Sequence, residues 1–283
     1  MKGEKVIYTF TDSLGREVKV ISYDKTAVIS GSLAEIWQLA GGELYGVTSD
    51  AFERDVIELS EGVKDYGGTH NPSIERLIAD GVDFVILSGT AAGQVKLSTL
   101  LEYAGITAAY FEVESFEDYL DTLKIFTDIT GRSDLYIQNG ENIRAELEQT
   151  KITAQEHDSP DILLLRAVST GMKARNSDNM TGSMLADLGC VNIADSDSSL
   201  LEALSLEAVI RSDPDCIFIT TMGDEATGFA QYEAELASNP AWQQLSAVKN
   251  GRVYILPKEL YHYKPNVRWA QAYKNLAQML YEK

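Results

Sequence analysis

Along the first half of the chain, short apolar runs alternate with stretches in which apolar residues recur every three or four positions. "TAVIS" (26–30) has the length and composition of a buried strand. "SLAEIWQLAGG" then puts Leu33, Ile36, Trp37 and Ala40 on one helical face and stops at Gly41 and Gly42. "YGVTS" is a second strand. "GGTHNPSIERLIADG" is a helix opened by Pro72 and Ser73 and closed by Gly81, and "DFVILS" is a third strand running into the loop "GTAAGQ". Strand, helix and strand at this spacing predict parallel βαβ units.

From Ser115 the pattern changes. "SFEDYLDTLKIFTDITGR" opens on a Ser-x-x-Asp variant of the capping box and reads as one helix. Residues 133–158 follow, charged and helix-prone over about 23 residues, or about 35 Å of helix. That is more than one α/β lobe needs as a crossover, and it predicts a rod between two lobes. Past Pro160 the alternation resumes with "DILLLRAV", "TGSMLADLG", "LSLEAVIRSDP", "DCIFITT" and "RVYIL". A last helix, "PNVRWAQAYKNLAQMLYEK", closes the chain. The expected fold is therefore α/β, with two Rossmann-like lobes of mainly parallel sheet joined by one long α-helix. Their limits are 1–115 for the N-terminal lobe, 116–158 for the linking segment and 159–283 for the C-terminal lobe.

The two halves echo one another. "SIERLIADGVDFVILS" (73–88) aligns without gaps to "SLEAVIRSDPDCIFIT" (205–220), with Ser73/Ser205, Glu75/Glu207, Ile78/Ile210 and Asp83/Asp215 identical. One helix–strand unit is thus repeated, with a glutamate at the same early place in each copy.

Charge narrows the partners. The formal net charge is −19, with acids spread along the chain, so nucleic acid and anionic membrane would both repel it. No apolar run reaches the roughly 18 residues of a membrane helix. Cys190 and Cys216 sit in apolar contexts and read as buried free thiols. Catalytic signatures are missing. There is no phosphate-binding glycine loop of either common type, and "GTAAG" has alanine where a nucleophile elbow needs serine. The histidines His70, His157 and His262 lie far apart in sequence, and no cysteine pair has zinc spacing.

Several stretches together resemble the substrate-binding proteins of bacterial ABC importers for ferric siderophores, haem and cobalamin, the TroA-like class with a single long interlobe helix. "FTDSLGREVKV" is similar to that family's first hairpin, and "VISGSLAEIWQLAG" to its first strand and helix. "NPSIERLIADGVDFVILS" resembles its N-lobe signature, and "NPAWQQLSAVKNGRVYILP" its C-lobe segment. "YHYKPNVRWAQAYKNLAQMLY" fits the close. The resemblance runs through essentially the whole chain in order.

That resemblance implies a monomeric binding protein, not an enzyme and without a cofactor. It would capture an iron chelate outside the cytoplasmic membrane, a ferric siderophore first, with haem or a corrinoid such as cobalamin as the alternative. It also implies that Glu75 and Glu207 dock on basic residues of a dimeric ABC permease, two carboxylates gripping a two-fold partner. Each glutamate would equally favour the positive end of its own helix. The resemblance further implies a ligand cleft between the lobes, largely preformed, since a continuous rod tied into both would limit hinge closure. An export signal, and in a Gram-positive cell a lipidated cysteine, would be expected on the native protein. The chain would then be periplasmic or lipid-anchored, with the signal removed from the sequence here.

In such folds ligands meet the loops at the carboxyl ends of the strands. Those are 30–32, 49–52, 69–71 and 88–94 in the first half, and 169–180, 221–223 and 259–266 in the second. The candidates they contain are Ser32, Phe52, Thr69, His70, Thr90, Lys173, Arg175, Met222, Tyr261, His262 and Tyr263. Lys173 and Arg175 stand out in so acidic a chain: they neutralise chelate oxygens or haem propionates, or they belong to a solvated loop. Tyr261 and Tyr263 either stack on a flat ligand or pack on the surface. His70 and His262 would supply axial nitrogens if the ligand is haem; otherwise they are ordinary polar loop residues. Met172 and Met180 read as packing residues. A site for bare zinc or manganese is disfavoured, since histidine is scarce. The rival of another class is an α/β hydrolase-like enzyme with a dispersed constellation, and the third reading is a sensory or scaffolding relative.

Overall fold

The computed structural model describes residues 5–168, 171–221 and 225–282. The chain divides into two compact units, Met1–Asn142 and Ile143–Lys283, with the division inside the stretch 116–158 that the sequence sets apart.

The first unit opens with an antiparallel hairpin, β1 (Tyr8–Thr11) and β2 (Glu17–Val20). Buried Asp12 organises its turn: one carboxylate oxygen accepts from the Leu14 and Arg16 amides, the other from the Arg16 guanidinium and the Tyr110 amide. A parallel sheet follows, built from β3 (Thr26–Val28), β4 (Gly46–Val47), β5 (Lys64–Asp65), β6 (Phe84–Ser88) and β7 (Thr107–Phe111). Its spatial order is β5-β4-β3-β6-β7, parallel throughout. The order reverses between β3 and β6.

Helices α1 (Gly31–Leu39), α2 (Ile74–Ala79) and α3 (Phe116–Thr130) cover the sheet. On one face Trp37 of α1 meets Phe84 and Phe126 edge-on, and Phe126 meets Phe111. On the other, Ala27, Ile29, Val85 and Leu87 pack with Leu77 and Leu101. Both faces are buried, which is why β6 reads as an unbroken apolar run. The Ser115–Asp118 capping box of α3 is formed in both directions.

The helix-prone stretch is helical from Ser133 to Ala154, but it is not a plain α-helical rod. A π turn, Ile137–Glu141, interrupts it before α4 (Asn142–Ala154). The reason lies in what the turn touches. Tyr119 donates to the Asn139 carbonyl at 2.7 Å, Asn139 Nδ2 donates to the Leu39 carbonyl at 2.8 Å, and Gly140 sits tight against Leu120 and Leu123. The extra residue of a π turn frees the carbonyl that Tyr119 takes. Helical periodicity carries no mark of it.

The second unit contains β8 (Asp161–Val168), β9 (Gly171–Arg175), β10 (Val191–Asn192), β11 (Cys216–Thr221) and β12 (Val253–Ile255). The order is β10-β8-β11-β12, all parallel, and β9 folds back antiparallel on the carboxyl half of β8. Here the order reverses between β8 and β11. The helices that matter below are α5 (Met180–Asp187), α6 (Leu206–Ser212) and α7 (Trp269–Tyr281). Leu163, Leu165, Ile217 and Ile219 form one core with Val209 and Trp242. Cys216 is buried and Cys190 half-buried, both free, as expected.

Candidate ligand-binding surfaces

In a doubly wound sheet two loops diverge where the strand order reverses and leave a crevice at the carboxyl ends. In the first unit those loops follow β3 and β6, and the chain ties them together. Buried Gln94 is the strap: its Nε2 donates to the Ile29 carbonyl at 2.7 Å and the Thr69 carbonyl at 2.9 Å, and its Oε1 accepts from the Ser88 amide at 2.7 Å. Tyr110, its hydroxyl pKa pushed up to about 12 by burial, donates to the Gln94 carbonyl.

Asp50 is the second organiser. One oxygen accepts from the Gly31 amide at 2.8 Å; the other accepts from the hydroxyls of Thr48 at 2.7 Å and Thr69 at 2.8 Å. Arg54 donates to Ser32 Oγ at 3.0 Å and its side chain lies close against Gly31. A Cβ at Gly31 would stand 2.6 Å from Arg54 Nε and 2.9 Å from Asp50 Oδ2. Only glycine leaves room for the guanidinium.

Of the predicted residues in this unit, Ser32, Thr69 and Thr90 are brought into one network, Thr90 through Ser88 Oγ at 3.0 Å. His70 joins them through backbone: its carbonyl lies against Gly93 and its side chain is exposed. Phe52 presents a half-exposed ring beside the short turn Ser49–Ala51. Asp50 and Gln94 were contained in the candidate loops but not singled out, and Arg54 lay outside them. No motif marks these three. The available signal was a run of polar side chains flanking each strand end.

In the second unit the loops at the reversal include residues outside those described, and Met222 is among them. What is described is the β8–β9 ladder. Alternation along β9 buries Met172 and Ala174 in the core and turns Lys173 and Arg175 the other way. Arg166 of β8 pairs directly across from Lys173, on the same face. Three cations therefore share the carboxyl half of one hairpin. Lys173 is exposed, and Arg175 Nε is buried without a hydrogen-bond partner among the described residues. Arg166 was missed in the sequence because "DILLLRAV" reads as strand core.

The third C-terminal loop corrects one expectation. Tyr261 is a core residue, 1% exposed, donating to the Ala272 carbonyl at 2.9 Å while its own carbonyl accepts from Thr181. Burial raises its hydroxyl pKa. It has no ring face to offer a ligand. Tyr263 and His262 are half-buried, their rings 5.6 Å apart, with Lys258 Nζ 5.9 Å from the Tyr263 ring. Met172 and Met180 are buried packing residues. A cavity of about 940 Å³ in this unit lies between α4 and α7. None of the predicted residues lines it. Among the described residues no three His, Cys, Asp or Glu side chains gather as a metal site, and no helix is long and apolar enough to cross a membrane.

The echoing segments have the same local structure. Ser73 caps α2 by accepting from the Arg76 amide, and Ser205 caps α6 by accepting from the Ala208 amide. Asp83 and Asp215 each bracket the start of the neighbouring parallel strand. The Asp83 carboxylate accepts from the Lys25 amide and its own amide donates to the Lys25 carbonyl; Asp215 does the same with Asp161. Leu77 and Val209 are fully buried, whereas Glu75 and Glu207 stand exposed in the first turns.

The chain belongs to the Peripla_BP_2 family of periplasmic binding proteins, whose profile matches residues 27–260. This is a family of extracytoplasmic, substrate-binding components of ABC importers, not of enzymes. The chain is 25% identical over 230 residues to the putative ABC transporter substrate-binding lipoprotein YhfQ of Bacillus subtilis, covering 77% of this chain and 70% of that protein. It is 28% identical over 151 residues to the Fe(3+)-citrate-binding protein YfmC of the same organism, covering 52% and 46%. The siderophore-binding protein BauB, solved with acinetobactin and ferric iron, has the same fold at a TM-score of 0.76 or above: 0.77, with 15% identity over 98% of this chain and 99% of that one.

Proposed function

We propose that the protein captures an anionic ferric chelate, a ferric siderophore or a ferric citrate type of complex, and delivers it to an ABC permease on which Glu75 and Glu207 dock. The observation that carries the ligand class is the row of Arg166, Lys173 and Arg175 at the carboxyl half of β8 in a chain of net charge −19. A polycarboxylate or catecholate chelate leaves negative oxygens on its surface, and guanidinium and ammonium groups pair with them at short range. The chelator already satisfies the iron, so the protein need only recognise charge and shape. In the first unit, Ser32, Thr69, Thr90 and the ring of Phe52 supply hydroxyls and an apolar surface of the kind small-molecule sites use. The names of the relatives that bind ferric citrate and a ferric siderophore support the same reading. The lipoprotein name of a relative supports a processed, membrane-anchored form.

The test is a tryptophan-fluorescence titration against ferric citrate, a ferric catecholate, ferrioxamine, haemin and cobalamin. Trp37, Trp242 and Trp269 are all buried, so a coloured ligand quenches them by energy transfer and not by collision. Saturable quenching at micromolar or lower ferric citrate or ferric catecholate is expected. Saturation by haemin or cobalamin alone would replace the ligand class, with His70 and His262 then the first residues to examine. Turnover of any panel member would revive an enzymatic reading.

A further inference from the structure

The repeated segment contains four identities, and the fold uses only two of them. Ser73 and Ser205 are helix caps, and Asp83 and Asp215 bracket strand starts, so both pairs follow from building a helix–strand unit twice. The other two neither cap nor bracket: each glutamate stands in its helix's first turn, where any acidic residue would be favoured, and each isoleucine lies on the outer face. Glu75 and Glu207 are exposed, and so are Ile78, at 49%, and Ile210, at 39%. In each helix the isoleucine follows the glutamate by three residues, which places the two side chains side by side on one face. A single exposed isoleucine is ordinary on a protein surface. The same exposed isoleucine beside the same exposed glutamate, once in each unit, is not something local folding requires.

We propose that each unit carries a two-part docking knob, Glu75 with Ile78 in the first and Glu207 with Ile210 in the second, and that each isoleucine fills an apolar socket beside a basic residue on the partner. The occupant is the permease, which would then present one basic-and-apolar surface to each unit. This rests on the docking role given to the glutamates above and adds the apolar half of the contact. The division of labour is physical. The carboxylate attracts and orients but is weakened by salt and by water. The isoleucine contributes by excluding water, and that contribution does not fade as salt rises. The two knobs differ in one respect: Arg211 Nη2 stands 3.6 Å from Glu207 Oε1, a surface pair that a partner's arginine must displace, whereas Ala79 occupies the corresponding place in α2. Exposed pairs of this kind are weak, so the displacement costs little.

The experiment measures binding of ferric citrate-loaded protein to its own permease–ATPase complex in nanodiscs, with the stimulated ATPase rate as second readout. It compares wild type, Ile78→Ser, Ile210→Ser, the double isoleucine variant and Glu75→Gln with Glu207→Gln, at about 0.1 and 0.5 M salt. Both isoleucines are exposed, so the variants fold, and each should bind ferric citrate as wild type does by tryptophan quenching. Each isoleucine change is expected to weaken permease binding about tenfold, which is about 1.4 kcal/mol, at both salt concentrations. The glutamate variant is expected to lose affinity mainly at low salt. Unchanged permease affinity in the double isoleucine variant, with the glutamate variant impaired, overturns the apolar half and leaves glutamate docking in place. Unchanged affinity in both overturns the docking role as well.

Discussion

Gly31 is where the first unit's crevice depends most narrowly on a single residue. Its missing Cβ gives Arg54 the space to lie over the backbone and reach Ser32, and lets Asp50 accept the Gly31 amide. Gly31→Ala is expected to displace the guanidinium and weaken ferric-chelate binding at least tenfold by tryptophan quenching, while the urea midpoint moves little. The thiols behave in the opposite way, as inert packing groups. Burial pushes Cys216 up to about 11 and Cys190 up to about 12. At pH 8 Cys216 is then thiolate in roughly one molecule in a thousand, and the native protein should not react with Ellman's reagent until it is unfolded. The thiols were legible in the sequence from their apolar neighbours. Asp50, Gln94 and Arg54 were not, because what distinguishes them is which backbone groups, or for Arg54 which hydroxyl, they reach across 6 to 65 residues of chain. Tyr261 misled for a related reason: a tyrosine beside histidine and lysine looks like a surface ring until α7 is seen to cover it.

At the scale of elements, sequence and structure agree where one local force dominates. The β6 run, the α1 face, the Ser115 capping box and the repeated helix–strand unit all follow from burial or capping that the neighbouring residues already declare. The π turn at Ile137–Glu141 was not legible, since it answers a hydroxyl on α3. Tyr119→Phe removes that hydroxyl from a buried carbonyl and is expected to cost about 1–3 kcal/mol, read as a lower urea midpoint with an unchanged slope. The aspartate brackets make a paired prediction. Asp83→Ala and Asp215→Ala should each destabilise by about 1 kcal/mol, each in its own unit. The matching effects would show that the echo is structural as well as textual. The cations of the β8–β9 ladder were half legible: Lys173 and Arg175 stand in a loop-like sequence, while Arg166 hides in an apolar strand and joins them only through register.

For the whole molecule, the tension is between a net charge of −19 and a local row of three cations. An anionic chelate is repelled by the surface as a whole and attracted by one hairpin. Raising salt screens both, but the short-range contacts at the hairpin are screened less than the long-range repulsion. The measurement that tests the central claim most directly is the affinity for ferric citrate, by tryptophan quenching, of wild type against Lys173→Glu with Arg175→Glu. Lys173 is exposed and Arg175 half-buried, so circular dichroism and the urea midpoint are measured alongside to establish that the variant keeps its fold. The account predicts saturable binding by wild type and at least a hundredfold loss in the charge-reversed variant. Equal affinity in the two proteins would contradict it, and would mean that whatever this protein carries is not recognised through the charge of the β8–β9 hairpin.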